Sequence, residues 1–145
     1  EVLFFICIPY ACLYTYHCFK ILLKPFILFP ILWVNITMIV LFIIIGITYY
    51  PNLYTSATFI LLALAISYVT FISKPKWLPR LYTSLLVLII PFMIVNGVLT
   101  GTGIPNEVVW YNPNHIIGIR ILTIPFEDFF YGFLLILLNV IVFEK

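Results

Sequence analysis

Stretches such as LYTSLLVLIIPFMIVNGVL (Leu81–Leu99) run for about twenty residues without one charged side chain. A helix of that length crosses a hydrocarbon core of about 30 Å, and a backbone placed there must satisfy its own hydrogen bonds. Several such runs occur in only 145 residues, of which 65% are hydrophobic and 8% charged. A soluble domain carries about 25% charge. The fold class that follows is an all-α integral membrane protein. A membrane β-barrel would alternate apolar and polar residues, and these runs do not. The net charge of +2 is dispersed, which excludes a polyanion-binding patch and argues against nucleic acid as a partner. Cys7, Cys12 and Cys18 form no CxxC and share no helix stripe, so they read as lipid- or core-facing thiols rather than metal ligands. No cofactor is signalled.

Hydropathy predicts five spans: Glu1–Phe19, Leu28–Tyr49, Leu53–Ile72, Leu81–Leu99 and Pro125–Phe143. Turn-forming segments divide them, FKILLKP, YYPN and SKPKWLPR among them. Lys20, Lys24, Lys74, Lys76, Arg80 and Lys145 then share one side of a five-span bundle, and Arg120 stands alone on the other. The positive-inside rule makes the populated side, with the C-terminus, cytoplasmic. Tyr49, Tyr50, Tyr54, Trp77, Tyr82, Trp110 and Tyr111 fall near span ends, where amphipathic rings anchor. The longest connection, residues 100–124, is rich in Asn and carries Glu107, His115 and Arg120, the profile of a lid or re-entrant element on the outer side. Its Gly-Thr-Gly lacks the strand, third glycine and acid of a dinucleotide site. Asn35-Ile-Thr fits a glycosylation sequon but lies inside a span. The chain opens on Glu1 within an apolar segment, with no signal-peptide features, and reads as truncated from something longer.

The five acidic residues are few enough that two in succession demand an explanation. In IPFEDFFYGF, Pro125 suits the first turn of a helix, so Glu127 and Asp128 fall near the positive end of its dipole. One reading is two interfacial acids wetted by headgroup water. The other follows from helix spacing, which sets Glu127, Phe130, Tyr131 and Leu134 on one face. A carboxyl group in apolar surroundings keeps its proton more readily, and an aromatic face stabilises a cation. A proton donor beside such rings suits protonation of a carbon–carbon double bond in a hydrocarbon substrate.

The final stretch, NPNHIIGIRILTIPFEDFFYGFLLILLNVIVFEK, resembles the repeat of the small membrane lycopene cyclases. These occur as heterodimers, as fused two-repeat chains and within bifunctional fungal enzymes. Their hallmark is Pro-x-Glu-(Glu/Asp) at a helix head, after a Gly-Ile-rich approach. Pro125, Glu127 and Asp128 match it position for position, and Gly118-Ile119 fits the approach. EVLFFICIPYACLYTYHCF looks like the helix after the same motif in the first repeat, with Glu1 as that motif's last acid. On this resemblance residues 1–19 are the last helix of the first repeat, 20–50 a linking transmembrane helix, and 51–145 the second repeat. The parent architecture would be two parallel repeats.

The resemblance implies non-redox cyclisation of the linear end groups of lycopene, an isomerase-type step towards β-carotene in carotenoid biosynthesis. Glu127, Asp128 and Glu1 would be the acid/base residues. Phe129, Phe130, Tyr131, Trp110 and Tyr111 would stabilise the cation. His115 would relay protons, or sit as a wet interfacial histidine. Arg120 would pair with an acid, or meet lipid phosphate. The implied partners are a lipid-soluble carotenoid, membrane lipid, and a partner half or second copy. The implied location is the cytoplasmic membrane of a bacterium or archaeon. Two other readings stay open: a non-enzymatic transporter or assembly subunit whose acids bind protons, cations or a helix, and a cyclase for longer carotenoids.

Overall fold

In the computed structural model, which describes residues 2–22, 31–105 and 107–144, each apolar run closes its backbone hydrogen bonds internally as a helix. The helices are α1 (Val2–Leu22), α2 (Ile31–Thr48), α3 (Leu53–Ser67), α4 (Leu78–Leu99) and α5 (Phe126–Phe143). A π-helical stretch, Tyr68–Ser73, prolongs α3 and ends at Lys74, whose φ of 44° breaks the helix. The segment between α4 and α5 holds a 3₁₀ turn, Pro113–His115, and a two-residue hairpin. In the hairpin, β1 (Arg120–Ile121) pairs antiparallel with β2 (Ile124–Pro125), Arg120 lying opposite Pro125.

Several boundaries differ from the hydropathy reading: α1 runs on to Leu22, past Phe19, and two others have a clear physical cause. α4 starts at Leu78, three residues early, because Pro79 fits a first turn whose N–H groups have no helical partner. Pro125 is the residue before α5 rather than part of its first turn. Its ψ of 139° is extended, as its place in the hairpin requires.

Three helical stretches, Leu53–Ser73, Leu78–Leu99 and Phe126–Phe143, are long and apolar enough to cross a membrane. α2 is apolar over the slightly shorter Leu32–Thr48. The core is mainly apolar, but the exterior is apolar too and several polar side chains lie inside. Ile44, Ile47, Leu86, Ile90, Ile94 and Val142 face outward, while Asn35, Thr55, Ser84, Thr100, Glu127 and Asp128 are buried. Polar groups turned inward behind an apolar exterior suit a hydrocarbon solvent.

α3 is the central element, packed on α2 and α5, and α1 packs on α4 and α5. α2 approaches α3 at Gly46, where an added Cβ would stand 2.7 Å from Ile60 Cγ1. Small residues at such crossings let backbones come close. Phe42, Phe59 and Phe130 then interlock α2, α3 and α5, with ring centroids 4.9–5.5 Å apart.

Polar ties mark the two ends of the bundle. At one end Lys20 Nζ and Tyr16 Oη donate to Glu144 Oε1 at 2.6 and 3.1 Å, so the C-terminal ends of α1 and α5 meet. His17 sets its ring edge against Phe143 there. Asn35, dismissed above as a misplaced sequon, joins three elements: its Nδ2 donates to Thr70 Oγ1, and its Oδ1 accepts from Tyr82 Oη. Tyr82 is therefore more than an interfacial anchor. Replacing Asn35 with Leu strands the Tyr82 and Thr70 hydroxyls, and we expect a loss of about 1–2 kcal/mol in detergent unfolding measurements, without change in fold. The opposite end gathers the α2–α3 turn, the C-terminus of α4 and the head of α5. The connection carrying Lys74 and Lys76 thus lies away from the carboxylates, in the alternation that the basic residues suggested.

Candidate functional site: a buried carboxylate pair

Glu127 and Asp128 are the second and third residues of α5, so adjacent backbone positions send their side chains to different neighbours. Both are buried, at 0% and 4% exposure. Of the two sequence readings, this burial fits acids in apolar surroundings and not acids wetted by headgroup water. The segment before α5 folds back over its first turn and closes it off.

That closure is built by a few contacts. Gly118 adopts φ +89°, a left-handed conformation that side chains disfavour. The turn lets Ile117 N–H reach Glu127 Oε1 at 2.6 Å, while Ile119 C=O accepts from Phe126 N–H at 3.0 Å. Asn52, at the start of α3, donates to Ile116 C=O at 2.8 Å and fixes the other side of the segment. Thr100 and Thr102 both bond Thr123, tying the end of α4 to the hairpin turn.

The two carboxyl groups are served differently. Glu127 Oε1 accepts from Thr55 Oγ1 at 2.8 Å and from Ile117 N–H. Its Oε2 is buried and has no hydrogen-bond partner among the described residues. Asp128 is engaged at both oxygens: Oδ1 accepts from Tyr54 Oη at 2.7 Å, and Oδ2 from Asn96 Nδ2 at 2.8 Å and Tyr111 Oη at 2.6 Å. Each of the three neighbours can donate, and the two oxygens of a carboxylate can accept all three bonds. Glu127 has one oxygen committed as acceptor and one free to carry a proton. Burial, then the bond to Asp128, pushes the Tyr111 phenol well above its ordinary value, so it stays a donor.

The aromatic residues divide into three groups. Phe130 belongs to the core, 5.0 Å from Phe126 and interlocked with Phe42 and Phe59. Tyr131 turns the other way, towards Tyr54 at 6.1 Å, and Tyr54 lies 6.0 Å from Tyr111. Phe129 packs on Phe92 of α4 at 5.2 Å. The single face offered by helix spacing is thus split, with Phe130 below Glu127 and a three-tyrosine cluster around Asp128. Tyr111 enters through its hydroxyl as well as its ring. Trp110 is 70% exposed and stands outside this cluster.

Arg120 forms no ion pair with either acid; it is exposed and lines an open polar pocket with Glu107 and Thr123. Its pairing with Glu127 or Asp128 is therefore corrected: hydroxyl and amide donors take that role. His115 is half-buried in the 3₁₀ turn against α3, and its Nδ1 finds no partner among the described residues. Glu1 lies outside the described residues.

Tyr54, Thr55 and Asn96 escape the sequence reading. Asn96 had a visible signal, a lone amide near the end of an otherwise apolar span. Tyr54 reads from sequence as one more interfacial ring. The Ile117 N–H is a backbone group and has no signature at all.

A family model described as lycopene cyclase matches residues 51–145, a segment containing both acids and every donor that engages them. No curated protein and no solved structure matches the chain.

Proposed function

The chain belongs to the lycopene cyclase family, and on that footing we propose that it cyclises the linear end groups of a carotenoid by acid/base isomerisation within a membrane. The observation that carries the mechanism is the unequal service of two adjacent buried carboxyl groups. In the acid form of Glu127 the proton belongs on Oε2, since Oε1 already accepts two hydrogen bonds. Glu127 is the general acid and adds that proton to the terminal double bond, leaving a tertiary carbocation. The neighbouring double bond attacks it, and the new carbon–carbon bond closes the ring while the positive charge moves to a ring carbon. Loss of a proton from an adjacent carbon restores a double bond. One proton enters and one leaves, so substrate and product are isomers and no net electron source is needed.

Asp128 has the form of the base, or of the fixed negative charge that stabilises the cation. Tyr54, Tyr111 and Tyr131 supply π-faces beside it, a favourable setting for positive charge in an apolar site. Tyr54, Tyr111 and Asn96 hold its position. The helices favour a multi-pass bundle with the C-terminus and most basic residues on the cytoplasmic side. The two-repeat architecture, with Glu1 as the acid of the other repeat, belongs to the same reading.

Isotopic labelling tests the reading directly. Membranes carrying the protein, given linear carotenoid in deuterium oxide, should yield cyclic product with one deuterium per ring and otherwise unchanged mass. Cyclisation without deuterium uptake, or no cyclisation at all, counts against it. A transporter or assembly subunit would leave the pigment linear.

A further inference from the structure

We propose that the apolar groove between α3 and α5 holds the linear polyene chain of the substrate, a placement that rests on the cyclase reading of the acid pair. The groove is about 360 Å³ in volume and is lined by Leu61, Leu64, Ala65, Tyr68, Leu134, Leu138 and Ile141. That size lies within the range of small-molecule sites. Leu134 and Ala65 are buried and form its floor, whereas Leu61, Leu64 and Leu138 are exposed walls open to the surroundings.

Its alignment with the acid site favours a substrate over an arbitrary lipid contact. On α5, Leu134, Leu138 and Ile141 continue the stripe that starts at Glu127 and passes through Tyr131, at steps of three or four residues. On α3, Leu61, Ala65 and Tyr68 continue the stripe that starts at Tyr54. Tyr54 and Tyr131 face each other at the head of both stripes, and Tyr54 bonds Asp128 there. On α5 the groove spans Leu134 to Ile141, about 10 Å along the helix axis at 1.5 Å per residue, and Tyr131 stands about 5 Å beyond its upper end. A stiff hydrocarbon laid in it would present one end to the tyrosine cluster and the acids, with the rest of the chain directed towards the basic end of the bundle. The small side chain of Ala65 gives the groove its depth, and an outer wall open to lipid admits a substrate that never needs to enter water.

Groove-filling variants separate this proposal from the reaction itself. Leu64→Trp and Leu138→Trp enlarge exposed wall residues without touching the core, and Leu86→Trp does the same on the outward face of α4. Conversion of the full-length linear carotenoid should fall at least about tenfold in the two groove variants. A shortened linear isoprenoid with the same end group should still react within about twofold of the unmodified protein, and Leu86→Trp should leave both substrates alone. Unchanged conversion of the full-length substrate in both groove variants overturns the proposal. Equal losses with long and short substrates also overturn it, and would identify the face as a packing surface for another helix or copy. Glu127→Gln distinguishes the two levels: if it stays active the acid assignment fails and removes the groove's anchor, whereas if it is inactive the groove result stands by itself.

Discussion

Glu127→Gln should abolish ring formation while the protein remains folded in the membrane. Glutamine has nearly the shape of the acid, and its amide oxygen can keep the two hydrogen bonds that Glu127 Oε1 now accepts from Thr55 and Ile117. Its NH₂ group would occupy the place of Oε2, where no acceptor waits among the described residues. The structural cost is that of a buried unsatisfied donor, about 1–3 kcal/mol. The chemical cost is larger, because an amide has no proton to give to a carbon–carbon double bond. Losing a positioned general acid lowers rates by about a hundred- to ten-thousand-fold. Pigment analysis of cells that accumulate linear carotenoid, normalised to the protein present in membranes, measures the effect. Cyclic carotenoid at the unmodified level would refute the role assigned to Glu127. Glu127→Asp keeps the proton but withdraws it by one methylene, and should retain only residual activity.

Why the sequence locates the acids but leaves their surroundings open is a question of range. Pro125, Glu127 and Asp128 are neighbours along the chain, so a short pattern carries them together. Hydropathy similarly locates the apolar elements, because that signal depends on local composition. Burial of the acids depends on a fold-back across residues 116–119, fixed by Gly118 in a left-handed conformation and by Asn52 from another helix. No local pattern reports that closure. The same limit explains Phe130 and Trp110: one is drawn into the α2–α3 interface, the other left outside, by contacts that spacing on α5 or in the loop cannot reveal. Asn35 and Asn96 are legible on the same local terms. A lone amide in an apolar span must find partners, and both do.

Asp128 can be tested by two substitutions that separate its charge from its place as a hub. In Asp128→Asn the amide oxygen can remain where Tyr111 and Asn96 donate, and the NH₂ group then faces the Tyr54 hydroxyl, which can rotate to accept. All three neighbours stay bonded, so stability should change by no more than about 1.5 kcal/mol. The negative charge and the basic oxygen are lost, and ring formation should fall by about a hundredfold or more. Asp128→Ala instead leaves two phenols and an amide without their acceptor inside the bundle. At about 1–3 kcal/mol for each stranded group, the expected loss is at least about 3 kcal/mol, visible as a lower midpoint in detergent unfolding. A protein that is stable but inactive as Asn, and unstable as Ala, assigns Asp128 a chemical role beyond packing. If Asp128→Asn cyclises normally, Asp128 only braces α3, α4 and the 100–124 segment against α5, and the final proton must leave by another route. His115, in the same segment and with an Nδ1 that finds no partner among the described residues, is then the next group to replace.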